Sequence, residues 1–119
     1  DDLEAIRAAL ADAIAALTEA TDWIVETHPE NPEAVAAGAV PYLRLFGIVA
    51  GGWLMARAAL AAEKHLSQGA EGQDGGGFFP AKIVSARFFA DQFLIQAPSL
   101  AATITRGWAA VTRFKPGGN

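Results

Sequence analysis

Apolar residues recur at helical spacing almost from end to end of this chain, and that period decides what it can fold into. Leu3, Ile6, Leu10, Ile14, Leu17 and Ile24 follow steps of three, four and seven, which sets them on one side of an α-helix. Ala9, Ala13, Ala16 and Ala20 lie beside that stripe and are small enough to let a second helix approach closely. Alanine fills 27 of the 119 positions, and it is the best helix former and depleted in strands. No stretch shows convincing strand alternation, so the expected fold class is all-α.

Punctuation residues divide the chain. The first helix covers residues 3 to 27 and stops at Thr27-His28-Pro29, because a residue before proline avoids the α region. Asn31-Pro32-Glu33 restarts it with an N-cap, a first-turn proline and an acid that suits the helix dipole. The second helix is expected from 32 to about 67, with Pro41 kinking or splitting it. Gly47, Gly51 and Gly52 fall on one side of its middle, a sign of tight contact with a neighbour. Residues 69–77, GAEGQDGGG, read as a flexible glycine-rich loop. The third helix then runs from about Pro80 to about Gly107, with Ile83, Ala86, Ala90, Phe93, Ala97, Leu100 and Ile104 as its stripe and a bend at Pro98. The expectation is a single helical domain over 1–119. It is an antiparallel bundle of three long helices, four to five if Pro41 and Pro98 split theirs.

The charge pattern is uneven. Formal net charge is −4, yet the first 35 residues carry nine acids and one base, a net of −8, and the remainder is +4. An acidic balance argues against nucleic acid as a partner, since that binding rests on neutralising phosphates. The longest apolar run, Leu45 to Ala56, has twelve residues and is shorter than the roughly 20 a spanning helix needs, so a membrane is not expected as a partner. Arg44, Arg57 and Arg87 read as surface bridges, with contact to the phosphates of an anionic ligand as the sharper alternative.

Candidate chemistry is sparse. There is no cysteine, which excludes disulfides, thiolate zinc sites and cysteine nucleophiles. His28 and His65 are the only histidines and stand far from ligand spacing, so no metal site is expected. No Asp or Glu interrupts the middle of an apolar face, and the glycine-rich stretch lacks the strand and the Lys-Ser/Thr of a phosphate loop. No catalytic, cofactor-binding or metal-binding residue is therefore assigned. The informative anomaly is aromatic: Phe79, Phe88, Phe89, Phe93 and Trp108 spread over more than one side of the third helix and beyond. A three-helix bundle covers only part of such a surface, so these five are the candidate interface, an apolar patch beyond a few hundred Å².

Residues Phe79-Pro-Ala-Lys-Ile-Val-Ser-Ala-Arg-Phe-Phe-Ala-Asp-Gln-Phe-Leu, then Gln96-Ala and Leu100-Ala-Ala-Thr-Ile-Thr-Arg-Gly107, resemble the C-terminal helical domain of certain bacterial acyl-CoA dehydrogenases. The likeness is to those similar to 3-methylmercaptopropionyl-CoA dehydrogenase. Ala39-Val-Pro-Tyr-Leu-Arg-Leu-Phe-Gly and Gly52-Trp-Leu-Met-Ala-Arg-Ala-Ala extend it upstream. The resemblance implies a parent flavoenzyme, FAD-dependent and cytoplasmic, that removes the α and β hydrogens of an acyl-CoA thioester. The chain, which opens at Asp1-Asp2-Leu3 without Met, would be its excised C-terminal domain. It would be a non-catalytic scaffold and oligomerisation element, partnered by the rest of its own dehydrogenase chain and by further copies. The alternatives are a stand-alone helical-bundle interaction module and a small-ligand carrier with a cavity between helices two and three.

Overall fold

The computed structural model describes residues 1–69 and 77–114. Among them the chain is all-α, with α1 (Asp2–Thr27), α2 (Pro32–Ala37), α3 (Ala39–Ser67), α4 (Phe78–Gln92), a 3₁₀ turn (Leu94–Gln96), α5 (Ala97–Arg106) and α6 (Trp108–Arg113). The stretch expected as a flexible loop lies, over 70–76, outside the described residues, as does the tail 115–119.

Three rods build the bundle: α1, α3, and the α4–turn–α5 unit. The Asp1 carboxylate caps α1 by accepting from the Glu4 amide at 2.8 Å, and Asn31 caps α2 by accepting from Ala34 at 3.2 Å. α1 and α3 run antiparallel, since Thr21 Oγ1 and Tyr42 Oη lie 2.7 Å apart at one end while Leu3 and Leu10 share a groove with Leu60 at the other. α4 and α5 descend α3 in the same antiparallel sense, with Phe79 at His65, Phe89 at Gly51, Leu94 at Gly52 and Ile104 at Gly38.

The breaks in the second and third helices do not fall at the prolines. Pro41 sits in the first turn of α3, where amides have no intrahelical acceptor, so the missing donor costs nothing. The second helix breaks instead at Gly38, where an added Cβ would approach Ile104 to 3.3 Å. Pro98 likewise stands in the opening turn of α5, and the third helix breaks ahead of it, at Phe93 and the 3₁₀ turn. Gly69, at φ +79°, closes α3 in the left-handed conformation typical after a helix end.

The core is mostly alanine. Ala13, Ala16 and Ala20 of α1, Ala59 and Ala62 of α3, and Ala86, Ala90, Ala97 and Ala101 of the third rod all belong to it. Leu45, Leu94 and Ile104 are the largest side chains fully enclosed. In α1 the small residues take the deepest positions with Ile6, while Leu3, Leu10, Leu17 and Ile24 flank them and Ile14 is exposed. Small side chains permit the close axial approach that larger ones would prevent. On the third rod Leu94, in the 3₁₀ turn, enters the core in place of Phe93, and Ala97 and Ile104 keep their places beyond it.

α3 is longer than the twelve-residue run inside it. Its 29 residues include a stretch of mean hydropathy 1.6, which by length and composition is enough to cross a membrane. This differs from the expectation drawn from the run alone, because Ala39 to Pro41 and Ala58 to Ala62 prolong the apolar character past the arginines. One side of that helix is built into the bundle through Leu45, Ile48, Val49, Gly52, Ala59 and Ala62.

Candidate docking surface

Five residues stand out in the sequence as a candidate interface, and they occupy three separate places. Phe88, Phe89 and Phe93 form one cluster at the end of α4, with ring centroids 5.1 Å apart for Phe89–Phe93 and 6.5 Å for Phe88–Phe93. Phe89 is anchored: its Cζ stands 3.0 Å from where a Cβ on Gly51 would lie, and the ring packs against the core. Phe88 and Phe93 project from it, 59 % and 40 % exposed. Val84 and Ile95, also exposed, border them.

Phe79 lies at the opposite end of α4. It is half-buried, stacked on the His65 ring at 4.7 Å and met edge-on by Phe78 at 5.2 Å. Trp108 belongs to α6, which packs against α2, and its Nε1–H donates to the Thr105 carbonyl at 3.1 Å. The structure thus brings Phe88, Phe89 and Phe93 together and leaves Phe79 and Trp108 outside that cluster.

The glycines of α3 hold packing, not a ligand. Phe89 fills the space over Gly51, and Leu94 fills that over Gly52. Nothing lies within 4 Å of a Cβ built at Gly47, so the third glycine faces open space. The reading of three glycines under one contact therefore holds for two.

Charged groups lie at the surface. Arg87 donates to Asp2 at 3.1 Å and to Asp91 at 3.1 Å, tying the start of α1 to α4, and those carboxylates, Asp91 first, raise its pKa further. Arg7 donates to the Glu4 carboxylate, and this hydrogen bond with the accompanying charge holds the Glu4 pKa below its ordinary value. Arg57 lies over the Trp53 ring at 4.9 Å, and Lys82 over Phe78 at 5.1 Å. These cations are dispersed, so they do not assemble the cradle that a pyrophosphate needs. Every ionisable side chain among the described residues is at least partly solvated, a setting in which desolvation does not tune a general acid or base.

The sequence pattern missed the outer side of α3. Val40, Leu43, Phe46, Trp53, Leu54 and Leu60 are all exposed there. The signal existed: residues 45 to 56 are apolar around the whole circumference, which means burial on several sides or an uncovered face.

Residues 1–115 match the family described as "Acetyl-CoA dehydrogenase C-terminal like". Over 96 residues the chain is 38 % identical to 3-methylmercaptopropionyl-CoA dehydrogenase of Ruegeria pomeroyi, covering 81 % of this chain and 16 % of that protein. The chain therefore spans about a sixth of the length of the curated relative it matches. No solved structure matches it significantly.

Proposed function

The chain belongs to the acetyl-CoA dehydrogenase C-terminal-like family, and from that premise we propose that it is the non-catalytic scaffolding domain of an FAD-dependent acyl-CoA dehydrogenase. The parent enzyme takes the α and β hydrogens from an acyl-CoA thioester, and FAD, held in its other domains, accepts the reducing equivalents. This chain supplies none of the reacting groups. Its dispersed cations do not fit the pyrophosphate of FAD or CoA, since Arg87 is engaged by two carboxylates and Arg57 by an indole.

The observation that carries the reading is the Phe88–Phe89–Phe93 cluster. Phe89 roots it in the core, while Phe88 and Phe93 extend outward beside Val84 and Ile95. Apolar surface of this kind on a folded element marks an association site. The dehydrogenase body is the occupant that the family points to.

The test is made in the complete dehydrogenase polypeptide. Phe88→Asp with Phe93→Asp is expected to expose the junction before this domain to limited proteolysis, while wild type is protected. The 119-residue chain alone is expected to purify colourless and to leave acyl-CoA thioesters unchanged. A chain that retains stoichiometric flavin, or a Phe88→Asp/Phe93→Asp double variant as protected as wild type, overturns the proposal.

A further inference from the structure

The outer side of α3 is a broad apolar surface that the bundle leaves uncovered. Val40, Leu43, Phe46, Trp53, Leu54 and Leu60 are between 49 % and 79 % exposed. They recur at helical steps on the side turned away from Leu45, Ile48, Val49 and Gly52. At one end the surface runs into an apolar groove of about 500 Å³ where α1, α2 and α3 meet, with Leu43 and Phe46 in its wall. At the other end Leu60 borders a groove of about 340 Å³ between α1 and α3.

Ala50 stands at the middle of that surface. Gly47 and Trp53 stand three residues to either side of it, Phe46 and Leu54 four, Leu43 and Arg57 seven, Val40 and Leu60 ten. A two-fold interface requires a self-complementary patch, each residue meeting the one at the opposite offset on the partner. When two α3 helices cross antiparallel at Ala50, Trp53 comes to the level of the partner's Gly47, and Phe46 to that of the partner's Leu54. The steric match is specific: Gly47 is an open notch with nothing near its missing side chain, and Trp53 is a large exposed knob.

Area agrees with the same pairing. The half-exposed Phe46 and Trp53 offer on the order of 100 Å² each, and the four aliphatic residues roughly 60–120 Å² each. The total is about 600 Å² a side before Ala50 and Ala61 are added, the lower end of specific interfaces at roughly 600–1,000 Å² per partner.

We propose that the outer face of α3 is a two-fold interface between copies of this chain, antiparallel about Ala50, with each Trp53 seated on the Gly47 notch opposite. The proposal deepens the association role given above by naming a partner and a surface, and it uses a different face from the one assigned to the dehydrogenase body.

The test uses the 119-residue chain, which has no cysteine of its own. Sedimentation equilibrium is expected to give a dimer, and Gly47→Leu a monomer with unchanged helical circular dichroism, since the notch is open in the single chain. Ala50→Cys is expected to be joined into dimers by a short bis-maleimide, whereas Ser85→Cys, exposed on α4, is not. A monomeric wild type, a Gly47→Leu variant that still dimerises, or cross-linking through Ser85→Cys in place of Ala50→Cys overturns the proposal. A monomer captured by phosphatidylcholine vesicles also overturns it and assigns the face to a bilayer. A monomer that docks on the dehydrogenase body refutes the two-fold interface alone. A dimer through Ala50 that carries flavin refutes only the scaffolding role.

Discussion

A methyl group added at Gly52 would stand 2.6 Å from Cδ2 of Leu94 and 3.1 Å from its Cγ. Leu94 is 2 % exposed and has no room to swing aside, so the strain is not easily relieved. Overpacking of this kind costs about 1–3 kcal/mol, from which alanine's better helix propensity returns about 1 kcal/mol. Gly52→Ala is therefore expected to lower Tm by several degrees. Gly47→Ala, with open space around it, is expected to raise stability by about 0.5–1 kcal/mol when melted at concentrations low enough to keep the chain monomeric. Equal melting shifts for the two variants would contradict the packing described. Glu4 carries the pH dependence of this scale. Its carboxyl is held below its ordinary value by the Arg7 hydrogen bond first and the Arg7 charge second. The folded state thus favours the ionised form, and the contribution is present above the unfolded carboxyl range and lost as pH falls through the lowered value. Wild type is expected to melt slightly above Glu4→Gln at neutral pH, with the gap closing in acid. A gap that widens on acidification would reverse the sign and refute the assignment.

The contact between α1 and α3 includes a polar link among alanines, the 2.7 Å hydrogen bond between Thr21 and Tyr42, both half-buried. Removing the phenol oxygen leaves Thr21 short of a partner, and such losses cost about 0.5–1.5 kcal/mol. Tyr42→Phe is expected to fall in that range by urea denaturation, and Thr21→Val/Tyr42→Phe together to cost less than the sum of the singles. Strict additivity would show that the two side chains do not cooperate. At this scale much of the fold was legible along the chain: a first helix over 3 to 27, against Asp2–Thr27 in the structure, the restart at Asn31-Pro32, and the positions of Ile83, Ala86, Ala90, Ala97 and Ile104. Phe93 was not: from Ala90 a step of three or of four continues a helical stripe equally well, and packing over Gly52 takes Leu94. The break at Gly38 escaped for a related reason. A proline three residues on is a strong local signal, whereas the close approach of Ile104 that favours glycine is a tertiary fact invisible along the chain.

Among the described residues, ten of the seventeen buried apolar side chains are alanine, so the bundle encloses little volume for its length. Each buried methyl contributes on the order of 0.8 kcal/mol, against about 1.5–3 kcal/mol for a larger aliphatic or aromatic side chain. Meanwhile Phe46, Trp53, Leu54, Phe88 and Phe93 remain outside. The large residues are thus placed where association, and not folding alone, buries them. The candidate site was legible only in part for the same reason. Excess apolar circumference can be read from composition around a helix, but which side stays open depends on where the neighbours pack, and on α3 they cover the side opposite Ala50 and Trp53. A chain built this way gains stability when its exposed faces are covered, and mass action makes that gain depend on concentration. If copies pair through α3, raising the chain concentration a hundredfold above the dissociation constant adds about 1.4 kcal/mol per chain, because free monomer grows only as the square root of the total. Tm is then expected to climb by several degrees across such a series for wild type, and to stay flat for Gly47→Leu, which fills the notch without disturbing the core. A wild-type Tm independent of concentration would mean that the alanine core alone sustains the fold, and would leave the outer face of α3 to a different occupant.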